Sequence, residues 1–255
     1  MERKLLFDSH IHIGQFRDLY STPQDVLDFL TKVGVDRFAV SSSTTCEENF
    51  EKVLGEMLEI VKIGGDKIVP ILWISPSMLE NGWFEKLLDC GIHWKCLKIH
   101  GYFSNWDTDG WQIEKVISKA TELKVPLLFH TGGREESDAG SYLNVIARHP
   151  EQVFILAHSR PVNQAINVME HCPNAWADTA FTPPENVAEM IKHGLAGRIL
   201  FGTDYPLHKV FYAGMDMVEL FHKIIDDIKC VMSDSEWELV SHKNFEKLFS
   251  ENDAK

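Results

Sequence analysis

Pro126-Leu-Leu-Phe-His130, a helix-patterned stretch over residues 139–148, and Val153-Phe-Ile-Leu-Ala-His158 together read as one strand–helix–strand repeat. Each short apolar run is of strand length, and each ends on a histidine. The stretch between them carries the wider spacing of an amphipathic helix. Outward from this repeat the same alternation recurs. Further strands are expected at residues 4–9, 36–41, 68–74, 96–100, 175–178 and 199–202, which with the first two makes eight.

Between them lie helical patterns. Val26, Leu27, Leu30 and Val33 share one face, with Thr22-Pro23 as the start signal and Gly34 as the stop. Phe50, Val53, Leu54, Met57, Leu58 and Val61 form another face, closed by Gly64-Gly65. Further helices are expected over 78–88, 111–123, 162–169, 184–192 and 211–228. Ser233 and Glu236 have capping-box spacing ahead of an extra C-terminal helix. Strict alternation of strand and helix implies a parallel sheet with crossover helices. Eight units favour an α/β fold of the (β/α)₈ TIM-barrel type over an open sheet, and 255 residues is an ordinary barrel length. No linker, low-complexity tract or block of like charge divides the chain, so residues 1–255 are expected to form one domain.

Bulk properties exclude some partners. A net charge of −13 argues against nucleic acid and anionic membrane, which are held by clustered Lys and Arg. The N-terminal residues contain no signal-peptide core, and no apolar run is long enough to span a bilayer. Five scattered cysteines without a CxxC pair fit reduced thiols and a cytoplasmic location. The outer helices leave room for a homo-oligomeric interface, but one sequence marks no patch for it.

The chemistry lies at the strand ends. His10 and His12 follow the first strand in Asp8-Ser-His10-Ile-His12; His130 and His158 end the fifth and sixth; Asp204 follows the eighth in Leu200-Phe-Gly-Thr-Asp204. In a (β/α)₈ barrel these ends converge on one mouth, where active sites sit. Two histidines two apart on an extended segment point the same way and can reach one ion. Four imidazoles and a carboxylate suit a divalent metal, Zn²⁺ first and Mn²⁺, Fe²⁺ or Co²⁺ next.

These motifs, with Phe201-Gly-Thr-Asp204-Tyr-Pro206 and the closing Lys243-Asn244-Phe-Glu-Lys-Leu-Phe249, resemble the amidohydrolase superfamily, in particular its "amidohydrolase 2" branch of metal-dependent barrel hydrolases and decarboxylases. The resemblance runs from residue 7 to 249. It implies that His10, His12 and His130 hold one metal ion, with His158 as a further ligand or as a group polarising the carbonyl. It also implies that Asp204 binds the metal weakly or hydrogen-bonds its water and acts as general base.

The fourth strand leaves alternatives open. In Cys96-Leu-Lys98-Ile-His100, Lys98 and His100 share a face by alternation. Lys98 reads as an anchor for a substrate carboxylate, as part of a structural ion pair, or as a carbamate bridging a second metal; one metal is the default expectation. His100, Arg134 and Arg160 are candidate substrate contacts, the two arginines because each follows a strand end where a guanidinium can grip a carboxylate. The expected function is hydrolysis of a small, carboxylated molecule by metal-activated water. Non-oxidative decarboxylation and lactone hydrolysis are the alternatives within the resemblance, and a non-catalytic ligand-binding barrel is the alternative outside it.

Overall fold

The computed structural model describes residues 5–104 and 106–249. Lys4, expected to open the first strand, lies outside them. Nine strands form one sheet in the order β2-β1-β3-β4-β5-β6-β7-β8-β9. They are β1 Phe7–Phe16, β2 Leu19–Ser21, β3 Arg37–Ser42, β4 Ile68–Ile74, β5 Cys96–Ile99, β6 Leu127–His130, β7 Phe154–Ala157, β8 Ala175–Asp178 and β9 Ile199–Leu200. Only β2 runs antiparallel, as a hairpin on β1. The other eight are parallel neighbours, the curled sheet of a TIM-type barrel. The curl returns to its start: Ser9 N–H donates to Phe201 O, Asp204 N–H to His10 O and His12 N–H to Tyr205 O, each at 2.8 Å.

The helices are α1 Pro23–Lys32, α2 Phe50–Gly64, α3 Pro76–Asn81, α4 Trp83–Leu88, α5 Trp111–Leu123, α6 Leu143–Arg148, α7 Val162–His171, α8 Pro184–Lys192, α9 His208–Phe211, α10 Met217–Lys229, α11 Asp234–Glu238 and α12 Asn244–Phe249. Local chemistry explains their ends. The Thr22 side chain accepts from Asp25 N with Pro23 in the first turn of α1, and Ser233 and Glu236 close the expected capping box on α11. Two expected helices are broken. Gly82, at φ +80, turns the chain between α3 and α4, and residues 212–216 separate α9 from α10. No helix among the described residues is long and apolar enough to cross a membrane.

Burial on both faces of the strands follows from helices outside and side chains inside. Outward-facing residues such as Leu97, Ile99, Leu127 and Phe129 pack on the helices. Inward rows begin apolar and end polar: Cys96 then Lys98, Leu128 then His130, Trp176 then Asp178. Phe245 and Phe249 of α12 pack against Phe7, Leu200 and the other inward apolar residues. Asn244 anchors that helix by donating to Ala196 O and Ile199 O at 2.8 and 2.7 Å. The apolar floor thus leaves the polar strand ends at the opposite mouth.

Candidate metal centre

β1 is longer than its apolar run suggests and includes both histidines. His10 and His12 are buried, and each ring is gripped on its Nδ1 side. His10 Nδ1 lies 2.8 Å from Asp178 Oδ2. His12 Nδ1 faces Ser41, whose hydroxyl is 3.0 Å away and whose backbone also hydrogen-bonds with the ring. A proton held at Nδ1 leaves the Nε2 lone pair free, the arrangement by which outer partners prepare metal-binding imidazoles. Both Nε2 atoms face Asp204: Oδ1 is 3.0 Å from His12 Nε2 and 3.6 Å from His10 Nε2. With the ring protons committed elsewhere, this buried oxygen has no hydrogen-bond donor. Converging inward acceptors, one of them with no donor, are the environment a cation satisfies, and among the described residues His10, His12 and Asp204 form one such group. The donor set therefore fits a divalent ion.

One cation already stands there. Lys98 Nζ lies 2.9 Å from His10 Nε2 and 3.2 Å from His12 Nε2, 4.5 Å from the Trp73 ring centroid. Burial pushes its amine down to about 8, and burial holds His10 and His12 well below the usual imidazole range. Neutral imidazoles are the form that binds metal.

His158 and Asp204 leave their strands in left-handed backbone conformations, φ +68 and +66. Such residues cost on the order of 1–3 kcal/mol each and persist where surrounding bonds hold them. Asp178 supplies one restraint: its Oδ1 accepts from His158 N and Ala180 N at 2.8 and 3.1 Å. Asp8 supplies another, its Oδ1 accepting from His10 N and Thr203 N while Thr203 Oγ1 donates to Oδ2 at 2.7 Å. Burial raises both carboxyls, Asp8 up to about 7.

The remaining expected residues separate. His158 donates from Nδ1 to Ala180 O at 3.0 Å, so its Nε2 is an acceptor; it joins His10 and Asp178 in a second close group. Burial brings its imidazole down to about 4. His130 lies one step out, Nδ1 3.1 Å from His158 Nε2, and belongs to neither close group among the described residues. It stacks on His100 at 3.6 Å, which stacks on Trp73 at 5.0 Å. Lys98, His100, His130, His158, Arg160 and Asp204 line one cavity of about 460 Å³. Arg160 also donates to Phe181 O at 2.7 Å. Arg134 is not among the described residues lining the cavity; it is exposed, its guanidinium 4.8 Å over Tyr102. Arg17 does line it.

Asp178 is the residue that sequence reasoning passes over. Its signal was present: it ends the seventh barrel strand, as His130 and Asp204 mark the ends of the fifth and eighth. Asp8 carried no such signal, since Thr203 lies 195 positions away, and Ser41, which ends the expected second strand, gave no hint of His12, 29 positions away.

A family profile described as amidohydrolase matches residues 84–252, two thirds of the chain. The chain belongs to the amidohydrolase family. Among solved structures, this amidohydrolase is similar to a probable 2-pyrone-4,6-dicarboxylic acid hydrolase from Acinetobacter baumannii with citric acid bound. That likeness has a TM-score of 0.71 at 13% identity over 96% of this chain and 99% of the other. An amidohydrolase from Burkholderia multivorans with bound zinc gives 0.68 at 10% identity over 96% and 99%. The apo form of Metarhizium anisopliae IDCase gives 0.70 at 10% over 96% and 97%. At these identities the likeness establishes the barrel. No curated protein matches the sequence.

Proposed function

We propose that this amidohydrolase is a single-domain, metal-dependent hydrolase of a small, carboxylated molecule. The observation that carries the reading is the convergence of His10 Nε2, His12 Nε2 and the donor-less Asp204 Oδ1 beside a cavity that His12 and Asp204 line. Among the described residues lining that cavity, Asp204 is the one carboxylate, and Lys98, Arg17 and Arg160 are the cations. A chain of net charge −13 thus presents a locally basic mouth, which favours an anionic substrate.

His10, His12 and Asp204 would hold one divalent ion, Zn²⁺ first by donor type, with His158 Nε2 and then His130 as the outer candidates. When bound, such an ion lowers the pKa of water to about 7 and polarises a carbonyl. The residues supply the rest. Asp204 accepts the proton of the attacking water and returns it to the leaving group. His158 serves better as ligand than as carbonyl polariser, because its one ring proton is donated to Ala180 O. Lys98 and Arg160 orient the substrate carboxylate, with His100 forming the stacked wall beside it. The capped extra C-terminal helix closes the far end of the barrel, and five unpaired cysteines are consistent with the reducing cytoplasm.

The test joins metal content to products. Protein purified without added metal is expected to carry about one equivalent of a transition metal by elemental mass spectrometry. Incubation with a panel of small carboxylated lactones and amides in oxygen-18 water is expected to place the label in product. Release of CO₂ without label incorporation overturns hydrolysis and assigns decarboxylation. Absence of metal after reconstitution with zinc, manganese and iron overturns the metal mechanism.

A further inference from the structure

We propose that the Lys98 amine occupies the cation position of the metal-free protein and is the ion's internal competitor rather than its ligand. This rests on the reading that His10, His12 and Asp204 form the metal site. β5 is buried along its whole length, and alternation sends Lys98 inward, where it is 1% exposed. A buried ammonium needs acceptors. The ones it finds are His10 Nε2 at 2.9 Å and His12 Nε2 at 3.2 Å, with the Trp73 face beneath.

The competition follows from the number of lone pairs. An imidazole nitrogen has a single in-plane lone pair, and the opposite nitrogen of each ring is already committed, His10 to Asp178 and His12 to Ser41. What Lys98 donates into is therefore the same pair of lone pairs an ion would take. A zinc–nitrogen bond is about 2.0–2.1 Å long, so an ion bonded to both rings lies in the space that the ammonium protons fill. Two cations at that separation also repel. The metal-free site is thus satisfied by the chain itself: it keeps its imidazoles aligned, and it binds metal more weakly than the same donors would without the amine.

Metal-stripped wild type, Lys98→Met and Lys98→Arg are compared by zinc titration against a chromophoric chelator, with folding checked by circular dichroism and thermal melting. Methionine keeps the unbranched apolar stem, one atom shorter, and removes the donor. Lys98→Met is expected to bind zinc at least about tenfold more tightly at unchanged stoichiometry, and Lys98→Arg no more tightly than wild type. Equal or weaker binding by Lys98→Met, or one fewer zinc per chain, overturns the proposal and makes Lys98 a ligand. If neither protein takes up zinc, the metal reading falls first and this inference with it. Should Lys98→Met fail to fold, Lys98→Leu carries the same comparison.

Discussion

Replacing Asp178 with Asn changes one oxygen to an amide nitrogen, and the structure dictates which of its bonds fail. Oδ1 accepts from two backbone N–H groups, His158 and Ala180, and the side-chain oxygen of Asn can do the same. The amide nitrogen then takes the place of Oδ2, 2.8 Å from His10 Nδ1. Two donors face each other there, and the clash is relieved when the ring moves its proton to Nε2, the nitrogen that points at Asp204 and Lys98. The variant therefore keeps the backbone turn at His158 and loses a lone pair in the metal site. A charge-assisted hydrogen bond is worth about 1.5–3 kcal/mol, but the buried carboxylate that made it was itself costly, so the net stability loss should stay below about 3 kcal/mol. Loss of such an outer partner typically weakens metal binding about 10- to 100-fold. Zinc titration against a chelator reads the affinity, and nitrogen NMR of the metal-free protein reads the His10 tautomer. Wild-type zinc affinity with His10 still protonated at Nδ1 would refute the argument that Asp178 sets this ring.

Asp204→Asn should leave folding intact and weaken zinc binding, and at saturating metal kcat should still fall about 100- to 10,000-fold, the usual contribution of a general base; turnover at the wild-type rate removes Asp204 from that role. Asp8 separates two kinds of substitution: Asp8→Ala strands the buried His10 and Thr203 N–H groups and should cost about 2–4 kcal/mol in urea unfolding, whereas Asp8→Asn should cost less than half as much. Arg160→Gln should raise KM for an acidic substrate about tenfold or more with little change in kcat, as steady-state kinetics will show. Acid should destabilise the metal-free protein. His158 is depressed from 6.5 to about 4, so its contribution is present above 6.5 and lost as pH falls through about 4. His10, His12, His100 and His130 act in the same sense, and Asp8 and Asp178, raised by burial, act in the opposite one. Five imidazoles outweigh two carboxyls, each excess proton taken up on unfolding adding about 1.4 kcal/mol per pH unit. Urea midpoints should therefore drop steeply between pH 6.5 and 4, and a flat profile would contradict the burial argument.

The barrel was legible because its signals are local. An apolar run of strand length, the helical period and a capping residue all fall within a few residues of one another, and β4 and β8 begin and end where the pattern places them. Breaks in the helices were less legible. Gly82 does not stand out within the 78–88 pattern until the backbone shows it left-handed. Within the site, His10, His12 and Asp204 could be paired because strand ends meet by topology. What that rule cannot supply is distance along the rim. His130 and His158 satisfy it equally, yet His158 lies against Asp178 and His10 while His130 is drawn into the stack with His100. The grips on the histidine rings were also hidden, since an Asp178–His10 bond joins residues 168 positions apart.

Where the curled sheet meets itself, the joint between β1 and the segment after β9 is thin: among the described residues it rests on an isolated bridge between Ile11 and Tyr205 and on main-chain bonds from 201–205. His10 and His12 sit on one lip of that joint and Asp204 on the other. Any ion gripping all three is therefore a clasp, fastening the first strand of the barrel to its last. Ligand binding to the native state alone adds about 2.7 kcal/mol at a hundredfold excess over Kd, and here that gain falls on the joint where the first and last barrel strands meet. Occupancy of the centre then reinforces closure of the barrel, and a nascent chain that has not yet delivered Asp204 has no complete centre to fill.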